Sequence, residues 1–356
     1  MMIATVSPTS MPHTPIRPAD RAKRAPSVTF VCCVESGPLE TTTVLMVRSL
    51  RRWGGKFAAC PVIAVTPRLG PPLMRSTRAA FDELNVHYVR QTAQTPFTWY
   101  SFLNKPLSLV AAERRMETDS SVRGDTIVWL DADIFITGEP EAFELADGVD
   151  FAACPSDRNL GSTGPGDRYE PYWAKMCAIH GTPLEKLPWV QTCRERQRIR
   201  FYFNGGVLAY RRSSGYAPAY LQGCLNALSA HVRSRDAGLF FAEQVTAGLI
   251  AVKQGLNAAI LPERFNYAIG SKALDGFTPE SFADARVLHY HDALWGHFFP
   301  QFMEMCRTAQ PALHEWLTDL GPLTNAAPLP WRLLAKTLKT VRTRKQNSFE
   351  ASCDQF

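Results

Sequence analysis

An α/β fold, built on a mostly parallel sheet with helices on both faces, is predicted by three features of the chain. Short continuous runs of apolar and β-branched residues alternate with segments of helical periodicity, the pattern of successive βαβ units. One such run, Thr126 to Leu130, ends in two acids, Asp131 and Asp133. The chain, 356 residues with 46% hydrophobic and 20% charged, is also long enough to bury one large core or two modest ones.

Residues 1–26 are Pro-rich and aperiodic, which reads as a disordered leader. The fold is expected to begin at Ser27. Val28–Val34 is a continuous apolar strand, Glu35-Ser36-Gly37-Pro38 a turn, and Glu40–Trp53 a helix with Val44, Val47 and Leu50 on one face and Gly54-Gly55 as its stop. A strand at Val62–Val65, a helix near Leu73–Leu84 and a strand at Val86–Val89 continue the alternation, and Asn104-Lys105-Pro106 opens a further helix. The acidic strand follows. Beyond it come a strand at Phe151–Ala153 and a Gly/Pro/Asp stretch, Asp157 to Asp167, long and polar enough to be a candidate active-site loop. Phe201–Tyr210 reads as a strand interrupted by Gly205 and Gly206; glycines inside a strand mark either a bulge or a close backbone approach. Phe240-Phe241-Ala242-Glu243-Gln244 leads into a helix ending near Gln254, and Arg286–His291 is a last strand, followed by Trp295.

Composition excludes several classes. The net charge is +6, but residues 1–26 contribute +3 and residues 332–356 contribute +4, leaving −1 on the body. A near-neutral body lacks the basic face of a nucleic-acid-binding protein. No apolar run reaches the ~18 residues of a membrane span, and the N-terminus lacks a secretory core. Nine scattered cysteines without a CxxC pair fit buried thiols in a reducing cytoplasm. The expected location is therefore cytoplasmic.

The acidic strand carries the chemistry. Ligands of open α/β sheets collect outside the carboxyl ends of the strands, where paired carboxylates suit a hard divalent cation such as Mg²⁺ or Mn²⁺. A solvated strand end is the bland alternative for an isolated Asp-x-Asp.

Taken together, five stretches in order give the chain a resemblance to the GT-A glycosyltransferases of the glycogenin-like and lipopolysaccharide-galactosyltransferase-like group. They are VCCVESGPLETTTVLMVRSLRRWGG, FLNKPLSL, LDADI, FNGGVLAY, and EQ followed by VLHYH. The resemblance covers roughly residues 27–300 and implies a Rossmann-like, mostly parallel sheet. With the composition of the two ends, the chain divides into the leader, a transferase domain over 27–320 and a basic amphipathic C-terminal tail over 321–356. The resemblance also implies a metal site of Asp131, Asp133 and His289, with Asp131 shared between metal and donor ribose. Imidazole beside carboxylates favours Mn²⁺ over Mg²⁺. His289 and His291 are two apart on a strand and face the same way, so His291 stays open as the third ligand. Glu35, Lys105, Asp131, Gly205, Gly206 and Trp295 fall at donor-binding positions, and Glu243, Gln244 and Asn204 at catalytic ones, where Glu243 and Gln244 hold the transferring sugar and the Asn204 turn shapes the sugar and acceptor pocket. Two departures stand out. Glu243 replaces the group's Asp, and the diphosphate-binding Lys after the His motif is missing, which leaves Lys105 to supply that charge.

The implied activity is metal-dependent transfer of a sugar from a nucleotide-diphosphate donor, a UDP-sugar first, to an unidentified acceptor, with retention at the anomeric carbon. The rival readings are a haloacid-dehalogenase-like phosphatase, which also uses an Asp-x-Asp after an apolar strand, and a non-catalytic sugar-nucleotide or glycan-binding module. At the C-terminus, Trp331, Leu334, Leu338 and Val341 recur at helical spacing beside Arg332, Lys336 and Lys339. Such a helix either lies on an anionic membrane surface, here the inner membrane face, or packs its stripe on its own domain.

Overall fold

The computed structural model describes residues 27–155, 157–269 and 278–356; the leader expected over 1–26 lies outside them. In chain order the amino-terminal half forms β1 (Val28–Cys33), α1 (Pro38–Trp53), β2 (Val62–Thr66), α2 (Arg75–Glu83), β3 (Val86–Arg90), α3 (Asn104–Thr118), β4 (Thr126–Leu130), β5 (Ile134–Ile136) and β6 (Phe151–Ala153). There follow α4 (Glu170–His180), β7 (Trp189–Gln191), β8 (Arg198–Arg200), β9 (Val207–Arg211), α5 (Tyr216–Ser229), β10 (Val232–Arg233), α6 (Ala242–Lys253), β11 (Ala258–Ile260) and β12 (Tyr267–Ala268). The chain closes with α7 (Pro279–Asp284), β13 (Val287–His289), α8 (Phe299–Ala309), α9 (Pro311–Thr318), α10 (Leu329–Ala351) and β14 (Asp354–Gln355).

Seven strands make the central sheet in the order β11-β6-β9-β4-β1-β2-β3, in which β9 alone runs antiparallel to its neighbours. This is the mostly parallel α/β architecture expected of the GT-A group. Its strands are buried on both faces, which is why they read as continuous apolar runs rather than alternating ones. One face packs Val31, Ile127 and Trp129 against aromatic residues of α4 and α5, including Trp173 and Tyr216. The other packs Phe30, Val62 and Val128 against Met46 and Leu50 of α1. A small sheet, β12-β13-β5, stands at the carboxyl edge with its own core of Phe135, Leu288 and Tyr290.

Two strand expectations shorten. The strand expected over 201–210 begins only at Val207, because the Asn204 side chain accepts the Gly206 N–H at 2.8 Å and turns the chain. The strand expected to reach His291 ends at His289, since His291 takes a left-handed φ of 49°. The C-terminal segment, expected as a tail, folds back on the domain. Phe349 of α10 packs on Trp99 with ring centroids 4.9 Å apart, and β14 pairs in parallel with β10.

Candidate functional site

Strand register brings the site together. β4 ends at Leu130, and β9 starts opposite it at Val207, so the Asn204-Gly205-Gly206 turn abuts the acidic pair. The Asp131 N–H donates to the Gly206 carbonyl at 2.9 Å. Two residues further, β5 pairs with β13 so that His289 lies opposite Ile134, and the Tyr290 N–H donates to the Asp133 carbonyl at 3.0 Å. The imidazole is thereby carried beside the carboxylate. Asp131, Asp133 and His289 each offer one ligand atom, and these atoms lie within 4.8 Å of one another. His289 Nε2 is 3.3 Å from Asp133 Oδ1.

Neighbouring groups fix these three side chains. The Trp129 indole N–H donates to Asp131 Oδ1 at 2.6 Å; residues i and i+2 of a strand share a face, so this orienting contact was readable from the spacing. Gly206 leaves room for the imidazole, since a Cβ there would meet His289 Cε1 and Nδ1 at 2.3 Å. Burial pulls the His289 pKa down, but the charge and hydrogen bond of Asp133 outweigh it and hold it raised. The same pair works on Asp133, where burial raises the carboxyl but His289 holds it below its usual range. His291 stacks on His289 with centroids 3.9 Å apart, while its Nδ1 bonds the Ile269 carbonyl at 3.0 Å. Burial pushes His291 down to about 4, so it is neutral at ordinary pH. It lies outside the three-atom cluster.

The acids open into a cavity of about 360 Å³, within the usual range of small-molecule sites. Of the sequence-derived residues, Glu35, Lys105, Asp131, Asp133, Glu243, Gln244 and Trp295 line it, as does His291. Lys105, expected as an available cation, is buried. Its Nζ lies 3.2 Å from Glu243 Oε1 and donates to the Gly205 carbonyl at 2.5 Å. Glu243 is only 1% exposed and also accepts from the Tyr220 hydroxyl. Burial outweighs the pull of Lys105 and raises Glu243 to about 7. Glu35 is clamped by Arg68 Nε and Nη2 at 2.8 and 2.6 Å, and although burial raises its pKa, this clamp brings it below its ordinary value. Gln244 Oε1 accepts from the Tyr202 hydroxyl at 3.0 Å.

Asn204 and the two glycines stand behind this wall as supports. Asn204 Oδ1 accepts from the Asn266 amide at 3.0 Å, and a Cβ at Gly205 would meet Lys105 Nζ at 2.5 Å. Sequence reasoning missed Arg68, Trp129, Tyr202, Tyr220 and Asn266. Arg68 sits just beyond the carboxyl end of β2, a position that pointed to the crevice; Tyr220 lies inside a helix with no local signal. The Asp157–Asp167 loop is closed on itself by the Arg158–Asp167 ion pair and held to α4 by the Trp173 indole, which donates to the Leu160 carbonyl at 2.7 Å. No residue of that stretch lines this cavity.

The model of the Rhodobacterales glycosyltransferase domain matches residues 30–255 of the chain. Among solved structures, the apo bifunctional glycosyltransferase WbbM superposes with a TM-score of 0.49 at 12% identity, over 83% of this chain and 52% of its own. The chain thus spans about half of that protein. The galactosyltransferase LgtC, in complex with donor and acceptor sugar analogues, superposes at 0.44 with 12% identity, over 85% and 99%. The glycosyltransferase GlyE of Streptococcus pneumoniae TIGR4 does so at 0.43 with 13% identity, over 85% and 66%. No protein of curated function matches the chain in sequence.

Proposed function

The chain belongs to the Rhodobacterales glycosyltransferase domain family, and from that premise we propose that it transfers a sugar from a nucleotide-diphosphate donor, a UDP-sugar first, with a divalent ion held by Asp131, Asp133 and His289. The observation that carries this reading is the convergence of one ligand atom each from Asp131, Asp133 and His289 within 4.8 Å of one another, with the two acids lining the cavity. Two carboxylates and one imidazole fit Mn²⁺ better than Mg²⁺ on ligand softness. Gly206, whose missing Cβ admits the imidazole, fits the same role.

When bound, such an ion supplies positive charge beside the departing nucleoside diphosphate, with no proton required from the protein. The chain's own residues do the rest. Trp129 holds Asp131 at one oxygen, leaving the other for the ion or the donor ribose. Gln244 and Glu243 face the cavity beside the acids, where they position the transferring sugar. Lys105, held against Glu243 and the Gly205 carbonyl, is less available to the diphosphate than a free lysine would be. Retention of anomeric configuration is part of the proposal through the family resemblance alone. The phosphatase alternative places its Asp pair at the opening strand of the domain, whereas here it ends β4, after three βα units.

No helix among the described residues is long and apolar enough to cross a membrane. We retain peripheral contact at the inner membrane face as a proposal, carried by the outer side of α10. There Leu329, Leu333, Leu334 and Val341 are exposed beside Arg332, Lys336 and Arg344, whereas Trp331 and Leu338 are partly covered. The test of the activity is release of nucleoside diphosphate from a panel of nucleotide sugars with Mn²⁺. Release that needs the ion and vanishes in Asp133→Asn supports the reading; release undiminished in excess chelator refutes it, and metal-dependent donor binding without turnover leaves only a binding module.

A further inference from the structure

Residues 329–356 lie beyond the stretch matched by the family model, yet the fold carries them to the edge of the site. The inward face of α10 presents Leu338, Arg342 and Gln346, with Lys339 at its margin, to a second cavity of about 360 Å³. Glu35, just beyond β1, and Arg68 and Leu69, just beyond β2, line the same cavity, together with Trp99. Glu35, Arg68 and Ser101 line both this cavity and the one at the acidic pair. The two spaces therefore adjoin across the Glu35–Arg68 pair.

Strand order sets their separation. β4, which carries the acids, is followed in the sheet by β1 and then β2, and neighbouring strands lie about 4.8 Å apart. The second cavity, lined from the ends of β1 and β2, thus lies about 5–10 Å along the sheet edge from the end of β4. A nucleoside diphosphate held by its phosphates at the end of β4 extends its base over such a distance. The walls suit a flat heterocycle with a polar rim: Leu69, Leu338 and Trp99 offer apolar surface, while Arg342, Thr343 and Gln346 offer hydrogen-bonding groups. Arg342 is held in place by donating to the Leu69 carbonyl. Trp99 is backed by Phe349 from the same helix, so α10 both lines the cavity and braces its far wall.

We propose that α10 forms the outer wall of the nucleoside end of the donor site, with Arg342 and Gln346 facing the edge of the base. The proposal rests on the nucleotide-sugar reading above and adds a determinant of base selectivity outside the family-matched domain. The acidic pair holds the diphosphate; α10 discriminates what is attached to it.

Calorimetric titration of the full chain, with Mn²⁺ present, separates the two layers when uridine, guanosine and adenosine diphosphates are compared with inorganic diphosphate. Wild-type protein is expected to bind one nucleoside diphosphate tighter than inorganic diphosphate by about tenfold or more, as two or so hydrogen bonds to the base would provide. Arg342→Ala and Gln346→Ala should each weaken that nucleoside diphosphate by about fivefold, while inorganic diphosphate stays within about twofold of wild type. Leu338→Trp, which fills the cavity from an apolar position, should give the same selective loss, with circular dichroism verifying the fold. Equal loss of nucleoside and inorganic diphosphate, or no loss in any variant, overturns the role of α10 and leaves the donor reading standing. A wild-type protein that binds none of the four ligands overturns the donor reading itself, and this inference with it.

Discussion

Alanine at Gly206 tests the proposed metal site of Asp131, Asp133 and His289 at a position that contributes no side chain to it. An added Cβ would stand 2.3 Å from His289 Cε1 and Nδ1 and 3.0 Å from Asn204 Oδ1. Gly206 is not in the left-handed region, so the backbone itself accepts alanine and the clash is the effect. Non-bonded carbon atoms settle at about 3.5–4.0 Å, so the ring must retreat by about 1 Å or more. Little room exists for that, because His289 is 4% exposed and its other neighbour is the His291 ring, 3.9 Å away between centroids. The turn cannot shift instead without moving Asp131, whose N–H is bonded to the Gly206 carbonyl. Disturbing the supports of a metal ligand typically lowers affinity by about 10- to 100-fold, and that is the expected loss in Mn²⁺ binding. The overpacking itself costs about 1–3 kcal/mol, which a domain of ordinary stability survives. Gly205→Ala provides the contrast. Its Cβ meets the flexible tip of Lys105 at 2.5 Å, so it should disturb the Lys105–Glu243 pair and change Mn²⁺ affinity much less. Titration of Mn²⁺ into both folded variants decides the matter; Gly206→Ala binding the ion as wild type does would refute the site as described.

Three further outcomes follow from the same contacts. His289→Ala should weaken Mn²⁺ by about 10-fold or more, and His291→Ala less, because its Nδ1 is engaged by Ile269; the reverse order in a titration would make His291 the third ligand. Glu243, raised from 4.5 to about 7 by burial, should stabilise the fold fully only below about pH 4.5 and lose that contribution as pH rises through about 7. Against Glu243→Gln, wild type should therefore lose up to about 3 kcal/mol between pH 4.5 and 8, measured by urea unfolding in chelator, and a flat or rising difference would contradict the assigned burial. Phe349→Ala, which removes the ring packed on Trp99, Phe97 and His231, should cost about 2 kcal/mol, below the range for fully buried rings. Unchanged stability would mean that α10 is not anchored to the domain.

Periodicity and punctuation alone were enough to place β1 to β4, α1 to α3 and α6 within a few residues, because these elements bury continuous apolar runs or amphipathic faces and are bounded by Gly and Pro. The same reading placed Asp131 and Asp133 at a strand end, and the family resemblance pointed to His289. Local pattern stops there. It could not distinguish His289 from His291, since alternation assumes a strand that in fact ends between them; it is pairing with β5, a contact more than 150 residues away in sequence, that sets His289 beside Asp133. It could not tell a solvated Lys105 from one buried against Glu243, because burial depends on what lies across the sheet rather than on neighbours in the chain. Nor could it show that the basic C-terminal helix returns to the carboxyl ends of β1 and β2. That placement comes from the pairing of β14 with β10 and the seat of Phe349 on Trp99, long-range contacts whose partners no local window of the sequence contains.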